Sequence, residues 1–476
     1  MKMQIGGANL FHSLRSDFRK FKMGSVVMQK VTFLCLTALL TLSSTLAGCS
    51  QGSSTNAGET KGKEPAASQP NTAAPKKNDP VTLRMTYWAG SQLTVDKNNA
   101  VIELFQKANP NIKIEAEYYA GDAYNDKINV QAASNSLPDI VRVDYSQIQN
   151  YVNKGILKPL DDYIANKTID MTGVAEVNMK GGIINGKTYG INIGNNALVM
   201  FYDPEKLEKA GVKAPGPDYT WDQYEKDLQT IKDKLNIYGD THMMQSHFEV
   251  WLRQQGKSFY NKAQDALGYD DDKLFIDYMN LQLKWQKKGI ISPIGVELEV
   301  RGLEDGPFPK GQAAFGGFSY WSNHADIMET QLKKPLGYAM YPGSGDGKGM
   351  YMKPSFFHGI AASSKHPEEA AKFIEFFTNN LDAAKSLNAY FGMPYHPKLI
   401  AGMQNSFSDT QKRVSQYLQV VEKHSSVIDP PAPVAGSEVG KIFTNIRAEV
   451  FYEKITPQQA AEKFRKEANA VLAKKK

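Results

Sequence analysis

Trp321 lies in the segment best equipped to hold a ligand. In Phe315-Gly316-Gly317-Phe318-Ser319-Tyr320-Trp321-Ser322-Asn323, two glycines end a strand and two adjacent aromatics, Tyr320 and Trp321, open a helix. Glycines let backbone approach closely, and an aromatic held there offers a flat apolar face beside polar groups. That is the chemistry of binding. Groups that would cleave a substrate are missing or badly spaced. The chain has no Gly-x-Ser-x-Gly elbow and no His-Glu-x-x-His, and His242 and His247 are five apart, off a common helical face. Gly343-Ser344-Gly345-Asp346-Gly347-Lys348 has the wrong spacing and following residue for a phosphate loop. Asp270-Asp271-Asp272 lacks the alternate spacing of a calcium loop. Glu297, Glu299 and Glu304 could form the carboxylate pair of a hydrolase, but carboxylates at such spacing on a loop are usually solvated. No metal and no cofactor is expected.

Cys49 carries a different chemistry. It follows Leu46-Ala47-Gly48, after an apolar run from Val31 to Leu42 headed by Lys30. A basic flank, a short apolar run and small residues before a cleavage point make a secretory signal, and the run is shorter than the roughly 20 residues a membrane span needs. Leu-Ala-Gly-Cys resembles the lipobox of bacterial lipoproteins, which implies cleavage before Cys49 and lipid on its sulfur. Residues 1–48 are therefore expected to be a signal peptide and 49–80 a lipid-anchored tether. Residues 50–80 contain no aromatic and no Val, Ile, Leu or Met, so they cannot bury enough surface to offset chain entropy. The net charge of +6 comes mostly from the leader; without residues 1–48 the chain has 50 basic and 49 acidic residues. Nothing in that balance argues for a nucleic-acid partner. Cys35 and Cys49 are the only cysteines, so the mature chain has no thiol left for a disulfide.

The elements that would position a site begin at Val81. Val81, Leu83, Met85 and Tyr87 alternate with polar residues as a strand does. A helix with Val101, Leu104 and Phe105 on one face runs to Asn109-Pro110, and Ile112, Ile114, Ala116 and Tyr118 make a second strand. Helix 124–134 and strand 139–143 follow. That order predicts a parallel sheet, whose ligands bind beyond the carboxyl ends of the strands. The rule selects Trp88, then Tyr119 to Asp122, then Asp144, Tyr145 and Ser146. Trp88 could instead be core, and Asp144 a helix cap.

Ile184-Asn185-Gly186-Lys187 is a hairpin signal, and a run of motifs extends along the chain on both sides of it. Their order is Pro138-Asp139-Ile140, Gly155-Ile156-Leu157, Tyr189-Gly190-Ile191, Phe201-Tyr202-Asp203, Thr220-Trp221-Asp222-Gln223-Tyr224, Gly311-Gln312-Ala313-Ala314, Gly359-Ile360-Ala361 and Lys365-His366-Pro367-Glu368-Glu369-Ala370. In that order and spacing the chain resembles the family 1 extracellular solute-binding proteins of ABC importers, the group that includes maltodextrin-binding proteins. The likeness covers about residues 81–470. Two departures bear on the ligand. Lys353-Pro354-Ser355-Phe356-Phe357-His358 replaces residues that are often glycines, and Asn195 or Asn196 stands where maltodextrin binders have a carboxylate.

The resemblance implies an α/β, two-lobe periplasmic-binding-protein-like fold with its ligand cleft at the hinge. Lobe 1 would be 81–193 with 358–395, and lobe 2 would be 194–357 with 396–476. It further implies a sugar ligand, an oligosaccharide given the many cleft aromatics, and an ABC permease with a separate ATPase as partners. Trp321 fits the family's principal stacking tryptophan, and His247-Phe248-Glu249-Val250-Trp251 falls where relatives place cleft aromatics. The expected ligand-binding set is Trp88, Asp144, Tyr145, Asn195, Asn196, Trp251, Tyr320, Trp321, Phe356 and His358. The expected state is a non-enzymatic monomer, anchored by lipid to the outer face of the membrane of a Gram-positive cell. A lipid-anchored glycan-cleaving enzyme and a surface glycan adhesin are the alternatives.

Overall fold

Leu83, Met85 and Tyr87 are wholly buried on one side of β1 (Val81–Trp88), as their alternation with Thr82 and Arg84 requires. These facts come from a computed structural model, which describes residues 80–120, 123–317, 320–343 and 348–474. The signal segment, Cys49 and the tether up to residue 79 lie outside the described residues, as do Gly121, Asp122, Phe318, Ser319 and 344–347.

α1 (Gln92–Ala108) starts at Ser91, whose hydroxyl accepts from the Thr94 N–H at 3.3 Å, and stops at Asn109 because Pro110 follows. β2 (Ile112–Tyr119) pairs in parallel with β1 from Val81–Ile112 through Trp88–Tyr119. After α2 (Ala123–Ala133), β3 (Ile140–Val143) lies parallel to β1 on its other side. Strands Ile183–Ile184 and Lys187–Thr188 form the predicted hairpin, with Asn185 at φ +51° and Gly186 at φ +78°, both left-handed as a type I′ turn demands.

The chain then crosses. β4 (Ile191–Asn192) and β5 (Asn195–Asn196) lead into a second sheet of β6 (Met200–Tyr202), β7 (Phe315–Gly316) and β8 (Gly337–Ala339), ordered β8-β6-β7 and antiparallel. β9 (Lys353–Pro354) pairs with β5, and β10 (Phe357–Ile360) returns to the first sheet, antiparallel between β3 and β4. The first sheet therefore runs β2-β1-β3-β10-β4. A third crossing follows later: the N–H groups of Asn195 and Met393 donate to one another's carbonyls at 2.9 and 3.0 Å. The backbones meet too closely there for side chains, since a Cβ on Gly194 would lie 2.8 Å from the Phe391 carbonyl oxygen.

Helices cover both sheets. α3 (Trp221–Leu235), α4 (Gln245–Gln254), α5 (Lys273–Lys287) and α6 (Ala325–Leu332) belong with the second sheet. α7 (Pro367–Asn379) and α8 (Leu381–Leu387) pack back against the first, and α9 (Asp409–His424), α10 (Gly436–Phe451) and α11 (Pro457–Lys474) again join the second. Thr220 caps α3 by accepting from the Gln223 N–H at 3.2 Å, but the Gln223 amide turns to Asp227, so half of a capping box forms.

Two faces of the first sheet have separate cores. Leu83, Phe105, Ile140 and Phe373 fill one, and Val141, Val143, Tyr151 and Phe357 the other. A third, larger core surrounds the second sheet with Phe201, Phe248, Phe275, Phe315, Phe443 and Phe464. Phe248 meets Phe275 edge-on at 5.5 Å and stacks on Phe443 at 5.8 Å. Burial of each such ring stabilises by about 1.5–3 kcal/mol. No described residue is a cysteine, so burial of this kind does the work of disulfides. Among the described residues no helix is long and apolar enough to cross a membrane.

Candidate functional site

The crossings put polar and aromatic side chains between the sheets. β9 sets Lys353 opposite Asn196 of β5, and residues directly opposed on antiparallel strands share a face. The Lys353 ammonium lies 4.8 Å from the centre of the Trp321 ring, a cation–π contact that contributes about 0.5–2 kcal/mol. Half-buried Trp321 is fixed by a backbone bridge to Leu198 and by the edge of Tyr351 at 6.3 Å.

Two hollows have polar linings. The first, about 330 Å³, is lined by Asn196 and by Ser322 and Asn323, which follow Trp321, with Lys97, Asp326 and Tyr390. The second, about 760 Å³, lies between α4 and α10 and is lined by Gln245, Glu249, Ser437, Lys441 and Thr444. Each has one cation, one carboxylate and otherwise amides, hydroxyls and apolar groups. Amides and hydroxyls both donate and accept, which matches a neutral polyhydroxyl ligand.

Glu249 is the most perturbed group in the second hollow. Burial lifts its carboxyl to about 7, and the hydrogen bond from Gln245 Nε2 to Oε1, 2.9 Å long, offsets only part of that rise. The charge of Asp429 pushes the same way, while Arg253 and Lys353 oppose it. One turn on, Arg253 pairs with Asp429 at 2.7 Å, and its Nη2 donates to Ser426 Oγ at 2.6 Å and the Val427 carbonyl at 2.7 Å. Asp429 in turn accepts at its backbone carbonyl from the hydroxyl of Tyr145, which leaves the end of β3. One side chain from the first sheet thus grips the proline-rich loop that borders the second.

The expected residues separate into two groups. Trp88, Phe356, Tyr145, Asn196 and Trp321 are half-buried at the crossing or at strand ends. Trp88 stacks on Phe356 at 6.0 Å with its ring over Gly90, where a Cβ would come within 2.7 Å of the indole. Of the other five, Asn195, Tyr320 and His358 are enclosed by the fold, while exposed Asp144 and half-buried Trp251 have partners close by. Asp144 is exposed but accepts from Ser146 N at 2.8 Å and Ser146 Oγ at 2.5 Å, the local capping role. Asn195 is 1% exposed, donating to Asn178 and accepting from Asn192. Tyr320 is equally enclosed, its hydroxyl donating to the Leu303 carbonyl at 3.2 Å. Trp251 packs edge-on against Trp221 at 5.5 Å and donates from Nε1 to the Leu274 carbonyl at 3.2 Å. His358 has no exposure and accepts from Arg142.

Lys353, Glu249, Arg253, Asp429 and Lys441 escaped the sequence reading. Glu249 and Arg253 are four apart on α4, so helical spacing alone would have set them on one face and Trp251 on the other. Asp429 lies in a proline-rich loop with no period to read. Of the carboxylates weighed for hydrolysis, Glu297 is buried, accepting from Ser292 Oγ at 2.7 Å, while Glu299 and Glu304 are exposed, so they do not face a shared space. Among the described residues no group of three His, Cys, Asp or Glu is placed to hold a metal.

Comparison with known proteins agrees with this architecture. An extracellular solute-binding protein family 1 structure from Alicyclobacillus acidocaldarius superposes with a TM-score of 0.77 at 28% identity, covering 84% of this chain and all of that one. A periplasmic oligogalacturonide-binding protein from Yersinia enterocolitica has the same fold, with a TM-score of 0.70 at 20% identity over 83% of this chain and 99% of its own. An arabinooligosaccharide-binding protein of Bacillus subtilis (strain 168) is 27% identical over 209 residues, 43% of this chain and 42% of that protein. The chain spans only 36% to 42% of the length of the first curated relatives it matches. The model of the bacterial extracellular solute-binding proteins matches residues 90–381, and with that match, in a two-lobe fold, the chain belongs to this family.

Proposed function

We propose that this protein is the substrate-binding component of an ABC importer, which captures a sugar between its two lobes and hands it to a membrane permease driven by a separate ATPase. The ligand is an oligosaccharide. The observation that carries this reading is the charge-balanced polar hollow walled by Lys97 and Tyr390 on one side and by Asn196, Ser322, Asn323 and Asp326, next to Trp321, on the other. Trp321, Trp88 and Phe356 supply flat apolar faces at the crossing and the strand ends. The arabinooligosaccharide-binding relative supports the same class of ligand.

Capture works by closure. A ligand that touches both lobes favours the closed state by its differential affinity. Tyr145 and Asp429 would add a protein contact to that state. Lipid on Cys49 would hold the protein at the outer face of the membrane of a Gram-positive cell, as a monomer, on the tether of residues 49–80.

A thermal-shift screen across neutral plant and microbial oligosaccharides tests the reading, because a ligand that binds only the folded state raises its melting temperature. Calorimetry should then give one ligand per chain, recovered uncut. Products in the supernatant would point to a glycan-cleaving enzyme instead, and tighter binding of long polymers than of short pieces to an adhesin. For the anchor, Cys49→Ala should release a folded protein from cells; retention after a salt wash would overturn it.

A further inference from the structure

The ring of Trp321 is braced by Lys353, but its backbone is set by a residue three places on. Leu198 and Trp321 face each other across a bridge whose hydrogen bonds belong to their neighbours. The Val199 N–H donates to the Tyr320 carbonyl at 2.9 Å, and the Ser322 N–H to the Ala197 carbonyl, also at 2.9 Å. The bridge itself engages neither the N–H nor the carbonyl of Trp321. His324 takes both. Its N–H donates to the Trp321 carbonyl at 2.8 Å, and its Nδ1 accepts from the Trp321 N–H at 3.2 Å.

This is one half of a capping box: the third residue of a turn reaches back with its side chain to the N–H of the residue before the turn. A histidine can do so only as a neutral ring with its proton on Nε2. Burial holds His324 down to about 4, so the ring is neutral at neutral pH. Tyr320 steadies it from the other side, the two rings meeting edge-on at 6.3 Å. The turn Ser322–His324 then runs straight into α6. The backbone that carries the indole is thus tied to the start of a helix, and Trp321 is extended there, at φ −108° and ψ 154°. Any swing of that backbone is magnified at the far edge of so long a side chain.

We propose that His324 is the positioning residue of Trp321: by holding its backbone N–H, His324 fixes the direction in which the indole faces a sugar. The inference deepens the sugar reading, which supplies the role of Trp321, but its test needs no sugar. The full chain labelled with 5-fluorotryptophan gives a fluorine resonance for each of its five tryptophans, and Trp321→Phe identifies the one in question. His324→Ala should move or split that resonance and leave those of Trp88, Trp221, Trp251 and Trp285 in place. His324→Gln should restore it, because a glutamine amide oxygen can accept the same bond, as Gln411 does from the Ser408 N–H at 3.0 Å. Ser408→Ala removes a cap at the start of α9 and serves as the control. It should lower the melting temperature by about 1–4 °C, as His324→Ala should, without moving the Trp321 resonance. Three results would overturn the proposal: a Trp321 resonance unmoved in His324→Ala, one displaced as far in His324→Gln, or one displaced as far in Ser408→Ala. Failure of the sugar reading would show separately, as unchanged sugar affinity in Trp321→Ala.

Discussion

At the scale of single residues, Trp321 and Glu249 make opposite demands on the fold. Trp321 is held by backbone and by Lys353 and should act as an affinity anchor. Trp321→Ala is expected to cost about 2–4 kcal/mol of binding, a loss of roughly 30- to 1,000-fold, measured by calorimetry. Melting of the same variant without sugar separates this from a core role, which would show as lost stability with near-parental affinity. Glu249 makes a prediction about pH. Its folded carboxyl is raised to about 7, above its ordinary value, so the folded state prefers the protonated form. The associated stability is fully present below the unfolded value, about 4.3, and is lost as pH rises through about 7. Glu249→Gln should therefore melt like the parent near pH 4 and above it beyond pH 7. The difference should be about 1–2 kcal/mol, because water still reaches the group. Parallel pH profiles for the two proteins would sink that assignment.

At the scale of elements, α4 shows what the sequence could and could not say. On its charged face Glu249 borders the second hollow and Arg253 pairs with Asp429, while Trp251 points back to Trp221 and the core. Trp251→Ala should lose about 2–4 kcal/mol of folding stability, short of a fully buried tryptophan. The folded fraction should bind with affinity within about threefold of the parent, by calorimetry at low temperature; a hundredfold loss there would return Trp251 to the site. The first sheet was readable because strands as long as β1 and β2 have a period. β5, β7 and β9 are two residues each, too short for any period, and their pairing is set by tertiary contacts. The same limit explains Asn195 and Asn196. Adjacent strand residues point to opposite faces, so naming the pair was legible, and choosing between them required the register with Lys353. His358 looked like a ligand contact because it ends an aromatic run, but its cross-strand partner is Arg142, which draws it into the core.

At the scale of the whole molecule, one hydroxyl spans from the first sheet to the loop beside the second. Removing it in Tyr145→Phe takes away one hydrogen bond, worth about 0.5–1.5 kcal/mol, from whichever state brings Tyr145 to Asp429. Sugar affinity should fall about 2- to 10-fold, and small-angle scattering should show a more expanded average at limiting sugar. Unchanged affinity and scattering would mean that the contact persists in every state. The order of strands in the first sheet has a further consequence, in time rather than in space. β10 completes that sheet between β3 and β4, yet it is synthesised after every strand of the second sheet. Until residue 360 has left the ribosome, β3 has an open edge and Arg142 lacks His358. Pairings this distant in sequence also form slowly. A nascent chain of this design cannot lock its first lobe early, so that lobe stays open while most of the chain is still being made.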